Sequence, residues 1–376
     1  MKNIQMVDLK SQYLKIKEEV DSSIMEVIES TAFIKGPEVA KFQEELEDYL
    51  SVKHVIACGN GTDALQIALM ALGLKPGDEV ITSDFTFAAT VEVIGLLQLK
   101  PILVDVDKDT FSINLEELEK AITPKTKAII PVHLFGQCSN MEGVMDIANK
   151  NNLFVIEDTA QAIGADYTFL NGNVQKAGTI GNVGTTSFFP SKNLGCYGDG
   201  GALFTNDDDL AKRLRAIVNH GMYERYYHEE VGVNSRLDSI QAAILRKKLP
   251  HLDVYSQARN RAAMIYNEAF KDEPNLEVPV TASYSSHVFL QYTLKTKGIN
   301  RSELQAFLKT KSIPSMVYYP LALHNQKAYL QEGVTDAQFP VTMELCSSVI
   351  SLPMHTELDQ EQLDYIIESV KEFLKK

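Results

Sequence analysis

Between His54 and Leu203 the chain repeats one alternation, short apolar runs separated by helical patterns. The runs are HVIAC, DEVITS, PILVDVD, KAIIPVHLF, LFVIEDT, TTSFF and GALFTN. Several are apolar throughout, which suits strands covered on both faces rather than half-exposed ones. Strand and helix in alternation predict a mostly parallel central sheet flanked by helices. In such sheets the functional groups gather just beyond the carboxyl ends of the strands.

The flanks differ. Leu9, Tyr13, Ile16, Val20, Ile24 and Ile28 recur at helical spacing and predict one opening helix. Gly36-Pro37 stops it, and Pro37 opens a second helix, where a missing N–H costs nothing. Val39, Phe42, Leu46 and Tyr49 form its apolar stripe. After Leu249-Pro250 the character changes: a long helix from about Leu252 to Phe270, strand-like HVFLQYTLKT, a helix started by a capping box at Ser302–Gln305, then SIPSMVYYP. A last helix follows Asp359, capped with Gln362, with Leu363, Ile366, Ile367, Val370 and Phe373 as its buried stripe. The expected organisation is a large domain over 1–250 and a smaller C-terminal α+β domain over 251–376.

Composition removes several function classes. A formal net charge of −14 repels a phosphate backbone and argues against nucleic acid as a partner. The N-terminus lacks the continuous apolar stretch of a signal peptide, and no run approaches the roughly 20 apolar residues of a membrane helix. Cys58, Cys138, Cys196 and Cys346 are widely spaced, fitting neither a disulfide framework nor a zinc site. A cytoplasmic protein without a metal is expected.

Five motifs carry chemistry. In VIEDTAQAIGA, Asp158 sits at the carboxyl end of a buried strand, where a carboxylate can pair with a protonated pyridine nitrogen. Gln161, just beyond, can donate to a ring oxygen. Taken alone, Asp158 reads equally well as a helix N-cap. In TTSFFPSKNLGCYGDGGAL, Lys192 follows an apolar run and precedes a glycine-rich turn. A lysine held in a pocket there can lose its proton and form a Schiff base, and Ser187 can bind a phosphate. A lone lysine is more often a solvated charge, but Phe188, Phe189 and Pro190 flank this one.

In ACGNGTDALQIALMAL, a strand runs through Gly61 and Thr62 into a helix, an arrangement that binds anions. The same loop satisfies a dinucleotide fingerprint, with Glu79 about 20 residues beyond Gly59. A nicotinamide reading would leave Asp158 and Lys192 without a role. Phe87, in TSDFTFAAT, can stack on an aromatic cofactor or pack in the core. In VGVNSRLDSIQAAIL, Arg236 can clamp a carboxylate or phosphate, or serve as a helix-start salt bridge.

In this order, from IKGPEV to LPMH, the motifs resemble those of the DegT/DnrJ/EryC1/StrS nucleotide-sugar aminotransferases, pyridoxal-phosphate enzymes of fold type I. The resemblance covers essentially the whole chain. It implies that Lys192 is the Schiff-base lysine, Asp158 the pyridinium partner and Gln161 the partner of the ring hydroxyl. Gly61, Thr62 and Ser187 would cradle the cofactor phosphate, and Phe87 would stack on the ring. Asn234 would reach the phosphate of the other subunit's cofactor, which implies a homodimer with shared active sites. His324, in YYPLALHNQKAY, would line the substrate site, although a surface-loop histidine reads as well there. The segment LGCYGDGGA resembles the branch that aminates C-3 of a keto-sugar, whereas the C-4 branch more often reads GEGGM. The implied substrates are L-glutamate and a UDP-sugar, 2-acetamido-3-oxo-glucuronate, with Arg236 as candidate for its carboxylate. A C-4 sugar or cyclitol aminotransferase and a non-enzymatic cofactor-binding regulator remain as rivals.

Overall fold

A computed structural model describes residues 3–375. Its elements follow the predicted alternation. Helices α1 (Leu9–Lys15), α2 (Lys17–Ser30) and α3 (Pro37–Leu50) precede β1 (His54–Cys58). Then come α4 (Gly61–Ala71), β2 (Glu79–Ser83), α5 (Ala89–Leu96), β3 (Lys100–Val104), α6 (Leu115–Lys120), β4 (Thr126–Ile130), α7 (Met141–Asn151) and β5 (Phe154–Asp158). A hairpin of β6 (Asp166–Thr168) and β7 (Val174–Lys176) leads to β8 (Val183–Ser187), β9 (Gly201–Thr205) and α8 (Asp208–Ile217).

Among the described residues the central sheet has seven strands in the order β1-β9-β8-β5-β4-β2-β3. Neighbours from β8 to β3 pair in parallel, Ile81 opposite Ile102 for example, whereas β9 is antiparallel to both β8 and β1. The carboxyl ends of β1, β2, β4, β5 and β8 therefore share one edge. One face of the sheet packs through Ile56, Val80 and Ile130 on apolar residues of α4, α5 and α8. The other face packs through Ile81, Ile129 and Val155 on α6 and α7. Phe42, Leu46 and Leu50 of α3 close the β1 end.

The remainder comprises a small hairpin of β10 (Met222–Glu224) and β11 (Tyr227–His228), then α9 (Ser239–Lys248) and α10 (Leu252–Phe270). After these come β12 (Leu276–Glu277), β13 (Tyr292–Thr296), α11 (Arg301–Thr310), α12 (Pro340–Ser348), β14 (Val349–Leu352) and α13 (Gln360–Leu374). The last three strands form an antiparallel sheet with a separate core of Tyr266, Phe270, Leu294, Leu304, Ile350 and Ile366.

Three expectations need correction. The opening helix breaks at Ile16, whose backbone is not helical, because Asp8 caps α1 and Ile16 starts α2 anew. Its stripe rotates accordingly, so that Val27 is buried and Ile28 is 42% exposed. The helix expected to start at a Ser302–Gln305 box is capped instead by Asn300, whose Oδ1 accepts from the Ser302 and Glu303 amides. In HVFLQYTLKT only Tyr292 onward is strand, because pairing with β14 starts at Tyr292 opposite Leu352. Residues 287–291 instead cross between the two cores, held by Gly136 O on Val288 N and by Phe135 O on Gln291 N. The Asp359–Gln362 box forms as expected.

Candidate active site

At the shared edge of strand ends lies a cavity of about 710 Å³. Its wall includes Gly61, Thr62, Phe87, Asp158, Gln161, Ser187 and Lys192, so seven residues that stand far apart in the sequence meet in one place.

The anion-binding corner is formed by the chain turning from β1 into α4. Asn60 caps the helix by accepting from the Asp63 amide at 2.8 Å. The first turn of α4 thereby presents its positive dipole end to the cavity. Gly61 is required by contact: a Cβ there would stand 2.7 Å from the Cβ of Ser187 at the end of β8. Behind the turn, buried Ser235 accepts from the Gly59 amide at 2.9 Å and donates to Asp63 Oδ2 at 2.6 Å.

Asp158 ends β5 and is 7% exposed. Its Oδ1 accepts from the Ala160 amide and its Oδ2 from the Thr90 hydroxyl, both at 3.1 Å. It caps no helix. Burial raises its affinity for a proton, against the pull of the Ala160 N–H, the Lys192 charge and the Thr90 hydroxyl. Lys192 lies on the turn after β8, its amide bonded to Phe189 O. Burial pushes its ammonium down to about 8, with attraction to Asp158 opposing. It is not a solvated surface lysine, since burial lowers its pKa toward the working range of a general base.

Phe87 is 57% exposed on the loop between β2 and α5, its ring 6.3 Å from that of Tyr319. It is not a core residue. Gln161 accepts from the Phe135 amide at 2.9 Å and donates to the Tyr319 hydroxyl at 3.2 Å, leaving its second N–H for a ligand. The Thr86 hydroxyl, also on the wall, is buried with no partner of its own.

The three other expected residues are off this cavity. Asn234 is exposed and bridges by backbone to Asn219. Arg236 stands near Lys35, whose ammonium is lowered by burial and, secondarily, by the Arg236 charge. His324 neither lines the cavity nor sits on the surface. Its side chain is 1% exposed, with Nδ1 2.6 Å from Asp84 Oδ2, Nε2 3.0 Å from Asp336 Oδ1 and the ring stacked on Phe339. Burial opposes its charge, but Asp336 and Asp84 outweigh that and raise its pKa. Its geometry is that of a clamp holding the segment after Tyr319 to the end of β2.

Sequence reading missed Thr90, Gln291, Tyr318 and Tyr319. Thr90 stood in the TSDFTFAAT motif, one helical turn after Phe87. The Tyr-Tyr-Pro of SIPSMVYYP was visible too, but its arrival at this cavity depends on packing between the two cores.

The donor set fits pyridoxal phosphate. There is a corner for a phosphate, an exposed aromatic for a flat ring, a buried carboxylate for a ring nitrogen, and a lysine with a lowered pKa. Among the described residues no cluster of three or more His, Cys, Asp or Glu side chains is placed to hold a metal ion. The four cysteines are buried and free. No described helix is long and apolar enough to cross a membrane.

Sheet, cavity and side chains together define a pyridoxal-phosphate-dependent transferase of fold type I. The family follows from comparison, since residues 14–371 match the DegT/DnrJ/EryC1/StrS aminotransferase family. The chain belongs to that family and is an aminotransferase. It is 46% identical over 375 residues to the "pleiotropic regulatory protein" of Geobacillus stearothermophilus, covering 99% of each chain. It is 45% identical over 363 residues to UDP-2-acetamido-2-deoxy-3-oxo-D-glucuronate aminotransferase of Pseudomonas aeruginosa, covering 96% of this chain and 98% of that one. Among solved structures, NtdA of Bacillus subtilis with bound cofactor PMP superposes with a TM-score of 0.90 at 31% identity, covering 100% of this chain and 86% of that one.

Proposed function

We propose that this aminotransferase moves an amino group from L-glutamate to C-3 of a UDP-linked 3-keto sugar, 2-acetamido-3-oxo-glucuronate, in the synthesis of a bacterial surface polysaccharide. The observation that carries the chemistry is the meeting of Lys192 and Asp158 in one cavity, the lysine pushed down to about 8 and the carboxylate buried. The choice of sugar is supported by the 45% identity to the Pseudomonas enzyme across nearly the whole chain.

Bound pyridoxal phosphate supplies a carbonyl that captures amino groups and an electron-poor ring that accepts the electron pair of a broken C–H bond. The chain supplies the rest. Gly61, Thr62 and Ser187 would hold the phosphate, Phe87 would stack on the ring, and Gln161 would donate its free N–H to a ring oxygen. Asp158 keeps its charge at the end of β5 to hold a proton on the ring nitrogen. Lys192, its ammonium lowered by burial, would take the proton from the donor carbon and hand it to the cofactor carbon, which needs a group whose pKa is near the working pH. Tyr318 and Tyr319 close the wall that excludes water.

Neither Asn234 nor Arg236 lines the cavity of its own chain. In a homodimer Asn234 would reach the phosphate of the other subunit's cofactor, and Arg236 is the candidate for the sugar's carboxylate.

The test is spectroscopic. Protein supplemented with pyridoxal phosphate should show a visible band that L-glutamate bleaches and freshly made UDP-2-acetamido-3-oxo-glucuronate restores, with nitrogen at C-3 of the product. Bleaching without restoration would leave the class standing and reject the sugar. Absence of any band would reject the reading from Lys192 outward.

A further inference from the structure

Asp158 must keep a charge in this cavity if it is to hold a proton on the cofactor ring, and burial works against that charge. It is 7% exposed, and burial raises its pKa. A buried ionised carboxylate persists only where donors replace the water it has lost. A carboxylate accepts up to about four hydrogen bonds. Asp158 accepts two within the chain, from the Ala160 amide and the Thr90 hydroxyl. The Lys192 charge adds to these, but a lysine whose amine engages cofactor and substrate does not keep its charge throughout a catalytic cycle. The two neutral donors remain. Ala160 is fixed, being a backbone group two residues away. Thr90 is a choice of side chain.

The placement of Thr90 is specific. It lies in the first turn of α5, 1% exposed, and donates across 68 positions of sequence to the end of β5. Threonine in a helix usually returns its hydroxyl to a carbonyl of the preceding turn. This one points instead to Asp158 Oδ2. Phe87 stands on the short loop immediately before α5, so the β2–α5 segment carries both Phe87 and the hydroxyl that reaches Asp158. Thr90 is absent from the cavity wall, although its neighbour Ala89 is present there, so any effect it has on the reaction passes through Asp158.

We propose that Thr90 is a positioning residue that holds the Asp158 carboxylate ionised and aimed at the ring nitrogen of the cofactor. The proposal rests on the cofactor reading above. Valine has nearly the shape of threonine and cannot donate, serine keeps the hydroxyl, and alanine removes it without adding a methyl group. The dissociation constant of pyridoxal phosphate is measured with apo-protein by fluorescence quenching from mildly acidic to mildly alkaline pH, for the wild type, Thr90→Val, Thr90→Ala and Thr90→Ser.

A hydrogen bond to a charged group corresponds to about tenfold in affinity or more. Thr90→Val and Thr90→Ala should bind about tenfold more weakly. Their affinity should also begin to fall at a higher pH than the wild type's, because Asp158 without the hydroxyl takes up its proton sooner. Thr90→Ser should follow the wild type. Weakening by the same factor at every pH would mean that Thr90 acts by packing alone, and it would overturn the proposal. So would superimposed profiles for Thr90→Val, Thr90→Ala and the wild type. Failure of the wild type itself to bind would reject the cofactor reading instead, which separates the two.

Discussion

Glu157 and Asp158 are adjacent carboxylates on β5, pointing to opposite faces of the sheet, and their surroundings differ sharply. Glu157, on the rear face and fully buried, accepts from the amides of Gly178, Ile180 and Gly181 at 3.0, 2.7 and 2.6 Å and faces His133 Nε2 at 2.9 Å. Asp158, on the cavity face, has two donors. The rear region is satisfied and its charge serves the fold. The front region is left short of partners, as a site must be if a ligand is to complete it. The same contrast separates two lysines. Burial pushes Lys192 and Lys248 alike down to about 8, but Lys248 donates to the Gly195 carbonyl and is not on the wall of the cavity that Lys192 lines. A lowered pKa therefore does not by itself mark a reacting group. An adjacent open space with a counter-charge does.

The largest expected effect separates the lysines. Lys192→Ala should lose turnover by a factor on the order of 10² to 10⁴, the range supplied by a general acid–base group, with the phosphate corner still retaining cofactor. Lys248→Met should turn over normally. Product formation under saturating substrates measures both, and comparable losses would erase the contrast.

The carboxylates come next. Asp158→Asn should be nearly inactive yet at least as stable as the wild type in denaturant unfolding, because the substitution removes a charge that burial disfavours. Glu157→Gln should lose about 3 kcal/mol of stability, since an amide oxygen cannot replace a carboxylate before four donors.

A pH titration sharpens the comparison further. A lysine whose folded pKa lies below its unfolded value binds fewer protons folded than unfolded between the two. Stability of the apo-protein should therefore rise with pH from about 8 toward the unfolded value. For a group as buried as Lys248 the rise is bounded by about 3 kcal/mol. Lys248→Met should lack its share.

The smallest effect concerns His324. Its folded pKa is raised, so its contribution is complete below the unfolded value of about 6.5 and is lost as pH rises through the folded value. His324→Gln should flatten that part of the stability profile, and an unchanged profile would remove the clamp.

Much of this arrangement was legible beforehand because it is local. Each strand of the central sheet announced itself as an apolar run, and Asp158, Ser187 and Lys192 stood at or just after strand ends where a parallel sheet puts its chemistry; the short hairpin strands β6, β7, β10 and β11, and β12, carry no such run. Contacts made by packing alone were not. Thr90 reaches Asp158 only because α5 lies beside β5, and Tyr319 meets Gln161 only where the two cores touch. The break at Ile16 escaped notice because Ile16 and Val20 are both buried, so the apolar spacing runs on across a change in backbone. His324 was misplaced because its carboxylate partner Asp84 lies 240 positions away.

The strand order also bears on synthesis. β1 is drawn early from the ribosome, but its sheet neighbour β9 ends at Thr205. The cavity wall further requires Gln291, Tyr318 and Tyr319. A nascent chain would hold β1 unpaired until more than half of the polypeptide had been made and could not enclose its cofactor until most of it had emerged. That interval exposes it to misassociation. Supply of the cofactor would then matter as the chain leaves the ribosome, with the ligand arriving as the last piece of the fold.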